Sequence, residues 1–335
     1  MTISAKSITN LFLAPLVTAS VCVRSPSYAA QPTIAGIIVL AYLGDPGALI
    51  RLRKAAGKGD AEAQDALGEL HIKGGSLPQD YAKAAMWFRK SAGQGYAQGQ
   101  IDLARSYYNG QGVPQDCAKA FFWEHKAAEK GNADAQDSVG YMYATGQGVP
   151  QDYEKSVIWY SKAANGGDAS AQFELGAAYD QGEGVPQDYT QAVVWYRKAA
   201  EQAYPHAQGA LGAMYMQGDG VPQDYIKAYK WFDLSKAFSK SNGKIYKADE
   251  MFLSTLSIRM TKGQIAQAQK EATDWFENYN KKKAAEAKNM NAKNNKITDI
   301  SQLPPPPAWM IGTASTPTAM TSHTGVSNDN SAPNK

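Results

Sequence analysis

The heptapeptide GQGVPQD at residues 110 to 116 returns letter for letter at 146 to 152. GEGVPQD at 182 to 188 and GDGVPQD at 218 to 224 keep the same step, and GGSLPQD at 74 to 80 keeps it in altered form. Pro78, Pro114, Pro150, Pro186 and Pro222 therefore stand 36 residues apart. A fixed period of this size marks an array in which each repeat is one supersecondary unit stacked on its neighbours.

Residues 97–132 serve as the unit for comparing columns. Gly99, Leu103, Ala104 and Tyr107 become Ala135, Val139, Gly140 and Tyr143, then Ala171, Leu175, Gly176 and Tyr179. Such spacing puts the four positions on one side of a helix, helix A. Gly110 ends it, because glycine accepts the left-handed conformation that a side chain resists, and Pro114 cannot continue the ladder. Asp116 stands just before the next periodic stretch, where its carboxylate can accept from unpaired backbone amides. The heptapeptide is thus a stop, a turn and a start, and it recurs because a helical hairpin recurs.

Helix B carries Ala120, Trp123, Ala127 and Ala128, with copies at Ser156, Trp159, Ala163 and Ala164, then Ala192, Trp195, Ala199 and Ala200. Trp87, Trp123, Trp159, Trp195 and Trp231 share one column. Large rings recurring among small residues suit close packing between stacked hairpins, since bulky knobs need small neighbours. A carbohydrate-stacking ladder is the sharper alternative for the same residues; helical phase assigns them to the interface.

The columns A-x-A-Q-x-x-L-G-x-x-Y-x-x-G-x-G-V-P-Q-D-Y-x-K-A-x-x-W-Y-x-K-A-A, spelled almost whole by Ala171 to Ala200, resemble the Sel1-like repeat family. Five units cover 61–96, 97–132, 133–168, 169–204 and 205–240, and ALIRLRKAAGKGD at 48–60 resembles a leading helix B with Arg51 in the tryptophan column. The resemblance implies an all-α fold, a right-handed superhelical solenoid related to tetratricopeptide arrays, with helix A on the concave wall and helix B on the convex one. It also implies an adaptor that holds other proteins together. One secreted branch of the family carries a cysteine pair in each repeat and is linked to penicillin binding; this chain lacks those cysteines.

Outside the array, residues 1–29 read as a secretory signal peptide, with Lys6, an apolar run from Leu11 to Val23, and Ser27 and Ala29 before the cleavage point. Residues 30–60 read as an N-terminal helical cap with a partial repeat. Residues 241–280 supply C-terminal capping helices, the second announced by Thr261 and Gln264 in capping-box spacing and carrying Ile265, Ala268, Ala272, Trp275 and Tyr279 on one side. Residues 281–335, rich in Lys, Pro, Ser and Thr, cannot bury a core and read as a disordered tail. The expected location is secreted or periplasmic, with no membrane span left after leader cleavage. Cys117 would then be the sole cysteine, so packing rather than an intramolecular disulfide must hold the fold.

The net charge of +3 comes from the ends. Taking away the two cations of 1–29 and the net +4 of 281–335 leaves residues 30–280 at −3. No nucleic-acid partner is expected from that balance. The GxG of each turn lacks the third glycine of a dinucleotide fingerprint and follows a helix rather than a strand. His71, His125, His206 and His323 have no second ligand at zinc spacing, and helix capping accounts for Asp80, Asp116, Asp152, Asp188 and Asp224. Cys117 stands in a column that is otherwise Tyr81, Tyr153, Tyr189 and Tyr225, with no catalytic partner in view. The chain is accordingly expected to be no enzyme and to hold neither cofactor nor metal.

With the packing columns removed, two helix A columns are free to specify a ligand: Asp65, Ile101, Asp137, Phe173 and Gly209, and Glu69, Arg105, Tyr141, Ala177 and Ala213. Ile101, Arg105, Asp137, Tyr141 and Phe173, in the middle units, are the candidate partner-binding residues, since aromatic and arginine side chains dominate binding energy. Burial of Ile101 and Phe173 under the next helix is the competing account. The expected function is a non-enzymatic scaffold or adaptor gripping an extended or helical protein segment in the cell envelope or outside the cell. The alternatives are an envelope polysaccharide-associated or glycan-binding module and, further off, a lactam- or peptidoglycan-acting enzyme.

Overall fold

The computed structural model describes residues 33–239 and 243–297; the leader read in 1–29 and everything beyond 297 lie outside them. Fourteen helices and no strand make up the described residues. Each repeat is a hairpin of helix A and helix B, and consecutive helices pack on one another along the chain as far as the thirteenth, while the last helix packs back on the twelfth. The pairs are α3 (Ala61–Lys73) with α4 (Tyr81–Gly93), α5 (Ala97–Asn109) with α6 (Cys117–Glu129), α7 (Ala133–Thr145) with α8 (Tyr153–Asn165), α9 (Ala169–Gln181) with α10 (Tyr189–Ala200), and α11 (Pro205–Gln217) with α12 (Tyr225–Phe238). The result is the α/α solenoid expected from the period. Before it come α1 (Ile34–Tyr42) and α2 (Pro46–Gly57), and after it α13 (Lys244–Arg259) and α14 (Lys262–Ile297).

Each residue of the heptapeptide has a physical task. Gly110 closes α5 in the left-handed region, with φ +68°. Gly112, at φ +74°, lies so close to the Tyr81 carbonyl of the preceding repeat that a Cβ there would overlap it. Gln115 Nε2 donates to the Tyr108 carbonyl at 2.8 Å, occupying one of the acceptors the end of α5 leaves free. Asp116 Oδ1 accepts from the Lys119 amide at 2.9 Å, and its carboxyl is held below the usual range by hydrogen bonds from Lys119. The same cap is made by Asp80, Asp152, Asp188 and Asp224.

The array is also pinned by a polar device. Gln64, Gln100, Gln136, Gln172 and Gln208 each donate Nε2 to a carbonyl at the end of the previous helix B, at 3.0 to 3.4 Å. The apolar columns pack as the period implies: Leu103, Val139, Leu175 and Leu211 are fully buried. Trp123 packs against the cluster of Ala84, Phe88, Ala92 and Leu103, and Trp195 against that of Tyr160, Ala163, Ala164, Ala171 and Leu175.

At the C-terminal end, Thr261 and Gln264 exchange backbone-to-side-chain hydrogen bonds at 2.8 and 3.3 Å, completing the capping box. Trp275 meets Trp231 edge to face at 5.9 Å and stacks on Tyr279 at 5.2 Å, closing the last repeat. The expected disordered tail from 281 needs correction, because α14 continues to Ile297. Its Ala, Lys, Glu and Met residues favour helix without a core, and the stretch contains neither Gly nor Pro. Among the described residues no helix is long and apolar enough to cross a membrane.

Candidate functional site

A cleft of about 400 Å³ opens between the second, third and fourth repeats. Ile101, Arg105, Asp137 and Tyr141, four of the five residues expected to bind a partner, line it together with Tyr108, Glu124, Asp134 and Glu174. Ile101 is 6 % exposed, so it serves as floor rather than as a projecting anchor. Phe173 lies elsewhere: its ring packs against Tyr196 at 5.6 Å and Tyr204 at 5.7 Å. Tyr108 and Tyr141 are exposed at the rim. Gln147 ties them together, accepting from the Tyr108 hydroxyl at 2.6 Å and donating to Tyr141 Oη at 3.4 Å.

The cleft exists because one repeat departs from the others at two facing columns. Helix A carries Gly68, Ala104, Gly140, Gly176 and Gly212, and helix B opposite carries Phe88, Glu124, Tyr160, Tyr196 and Phe232. In the third and fourth repeats the glycine lets the ring lie flat on the helix, and a Cβ would stand 2.6 Å from Tyr160 Cδ1 or Tyr196 Cδ1. In the second repeat Ala104 supplies that Cβ and Glu124 replaces the ring. The space a ring fills elsewhere is left open here, and a carboxylate faces it.

Four carboxylates, those of Glu124, Asp134, Asp137 and Glu174, line the cleft against the single guanidinium of Arg105. Glu124 Oε2 and Asp137 Oδ1 are buried without a hydrogen-bond partner. Burial pushes the Glu124 carboxyl up to about 8, with Arg105 acting in the opposite direction. Burial also pushes Asp137 up to about 7, aided by Asp168 and Glu174. Arg105 itself is fixed by Asp102, whose Oδ1 it meets at 2.7 Å. A group that brings positive charge and N–H donors satisfies both orphan oxygens, whereas an apolar group leaves them stranded.

Glu124 and Tyr108 stand outside the two variable columns of helix A. The signal for Glu124 is in the repeats themselves, as the one acidic residue in an aromatic column. The tryptophan column has a different role. None of the five is exposed, and each carries a lysine ammonium over its ring: Lys90 on Trp87 at 4.3 Å, Lys126 on Trp123 at 5.1 Å, Lys162 on Trp159 at 3.5 Å, Lys198 on Trp195 at 3.6 Å and Lys230 on Trp231 at 5.0 Å. Cys117 is a half-buried free thiol. His125 sits against Phe121 and Trp159, and His206 against Phe173 and Tyr204, as packing groups.

No curated protein matches the chain. Among solved structures it is similar to a Sel1 repeat protein from Oxalobacter formigenes, with 29 % identity over 72 % of this chain and 99 % of that one, at a TM-score of 0.63. It is also similar to c5321, a protective antigen of uropathogenic Escherichia coli with an SLR fold, with 28 % identity over 74 % of this chain and 70 % of that one, at a TM-score of 0.36. Cysteine rich protein B of Helicobacter pylori shares 28 % identity over 40 % of this chain and 96 % of its own length, at a TM-score of 0.33. The Sel1 repeat model matches residues 61–96, 97–132, 133–168, 169–204 and 205–236, in register with the hairpins. With more than half its length in those matches, the chain belongs to the Sel1 repeat family, whose members are typically protein-interaction scaffolds.

Proposed function

We propose that this chain is a non-enzymatic scaffold, secreted or periplasmic, that holds an extended or helical segment of a partner protein across its second to fourth repeats. A lysine or arginine of that segment enters the cleft beside Glu124 and Asp137, while Tyr108, Tyr141 and Arg105 grip the flanking backbone and side chains. The observation that carries this reading is the pair of unpartnered carboxylate oxygens beside a cavity made by a repeat-specific substitution. Exposed aromatic and arginine groups around buried acidic groups are the usual makings of a binding hot spot. The lysine-covered tryptophans lend the glycan alternative no support.

Selection from a displayed peptide library tests the reading. Enriched peptides are expected to share a basic position, and Arg105→Ala combined with Tyr141→Ala is expected to weaken their binding about 30-fold or more, as loss of two hot-spot side chains implies. Peptides without a basic position, or binding unchanged in the double variant, would remove the cleft from the account. The proposed location rests on the leader read in 1–29. N-terminal sequencing of the protein recovered from the periplasm or medium is expected to begin at Ala30, and recovery of an intact Met1 chain from the cytoplasm would overturn it.

A further inference from the structure

A second acidic group lies one repeat boundary before the cleft. Asp65 and Glu69 are one turn apart on α3, and Asp102 reaches across from α5, so that one carboxylate oxygen of each lies within 4.8 Å of the other two. Asp65 and Asp102 are each only 5 % exposed. Two of the three are held from outside. Glu69 accepts from the Tyr42 hydroxyl of α1, while Asp102 accepts from Gln98 Nε2 at 2.9 Å and from Arg105 Nη1 at 2.7 Å. Asp65 Oδ1 is buried with no partner at all.

We propose that Asp65, Glu69 and Asp102 together bind one hard divalent cation, such as Ca²⁺ or Mn²⁺. An all-oxygen, carboxylate-rich set suits such ions. Outer hydrogen bonds that orient two ligands, with a third oxygen left bare, are the arrangement of a metal centre with its supporting shell. A cavity of about 180 Å³ lined by Glu69 and Asp102 gives the ion a way in and leaves room for water ligands. The cations facing the group are Arg105 and Lys73, the latter 3.8 Å from Glu69 on an exposed side chain. Three carboxylates outnumber these two, so the group keeps a net formal negative charge that attracts a cation.

The repeats supply an internal control. Asp137 and Glu174 stand where Asp65 and Asp102 do, two repeats further on, but Tyr141 replaces Glu69. Around the later pair no third carboxylate comes within the same mutual distance, so Asp65, Glu69 and Asp102 are the one such group among the described residues. The sequence alone points to no metal, because Asp65, Glu69 and Asp102 meet only across neighbouring helices and share no column with the capping aspartates.

The test is a Mn²⁺ titration of the full chain followed by electron paramagnetic resonance, with calorimetry for Ca²⁺. One equivalent is expected to bind, with a dissociation constant on the order of 10⁻⁴ to 10⁻³ M, as in extracellular calcium modules. Asp65→Asn and, at the half-exposed position, Glu69→Gln are each expected to weaken binding about tenfold or more, and Asp137→Asn to leave it unchanged. No saturable uptake up to roughly 10 mM would overturn the site. So would uptake that Asp65→Asn and Glu69→Gln leave intact. Asp65→Asn raising stability with no metal response in either protein would show a shared proton in its place.

Discussion

The second and fourth repeats follow one plan and differ in what they leave open. In both, a helix A leucine, Leu103 or Leu175, is fully buried, an aspartate caps helix B and a glutamine ties the hairpin to its predecessor. In the fourth repeat Gly176 lets Tyr196 lie against helix A, and the ring is 3 % exposed. In the second, Ala104 and Glu124 stand in those places, and the cleft opens. Frame and cleft are therefore written in different columns, and a departure at one facing pair opens a cleft without disturbing the solenoid.

The largest effect should come from the part the two repeats share. Leu103→Ala and Leu175→Ala are each expected to cost about 2–5 kcal/mol in urea unfolding, because both leave a cavity in a packed interface. A cost confined to one of them would break the equivalence of the frames. Next comes the facing pair. Gly176→Ala places a methyl 2.6 Å from Tyr196 Cδ1 and is expected to destabilise by about 1–3 kcal/mol through overpacking. The reverse change, Ala104→Gly, meets no ring and should cost about 1 kcal/mol or less, from helix propensity alone. Equal costs would mean that Ala104 does not hold the cleft open.

The pH dependence sharpens the same contrast. Glu124 titrates in the folded chain at about 8 rather than near 4.5, because burial disfavours its charge. The folded state thus holds a proton that the unfolded state gives up. The stability it contributes is fully present below about pH 4.5 and is lost as pH rises through about 8. Glu124→Gln, which cannot ionise, is expected to match the wild type at pH 5 within about 0.5 kcal/mol and to exceed it by about 1–3 kcal/mol at pH 9. Chemical denaturation at the two pH values checks this, and parallel curves would contradict it. A similarly small effect is expected in the caps. Asn132→Ala removes the acceptor that meets the Ala135 amide at 2.9 Å and should cost about 1 kcal/mol.

Most of the frame was legible from the turn. Gly110, Pro114 and Asp116 have local tasks that depend on φ, a missing N–H and a carboxylate, and local tasks show in any single copy. Gly112 and the glutamines of the Gln64 to Gln208 column were not legible, since their partners are backbone carbonyls of the preceding repeat and backbone leaves no mark on a column. Arg105 and Tyr141 were found by removing the packing columns, but Ile101 and Phe173 were harder, because an apolar residue in a variable column reads the same whether it faces a groove or a neighbour. Glu124 was missed on the helix that the packing pattern had set aside. The helix beyond 280 was missed because burial, rather than propensity, was taken to decide order.

The most direct measurement of the central claim is fluorescence anisotropy of a selected basic peptide with the wild type and with the Ala104→Gly, Glu124→Tyr variant, which restores to the second repeat the pair found in the third and fourth. The variant is expected to fold at least as stably as the wild type, having lost a buried unpartnered carboxylate, and to bind the peptide about 100-fold more weakly. A folded variant that binds as tightly as the wild type would show that the partner does not use the cleft.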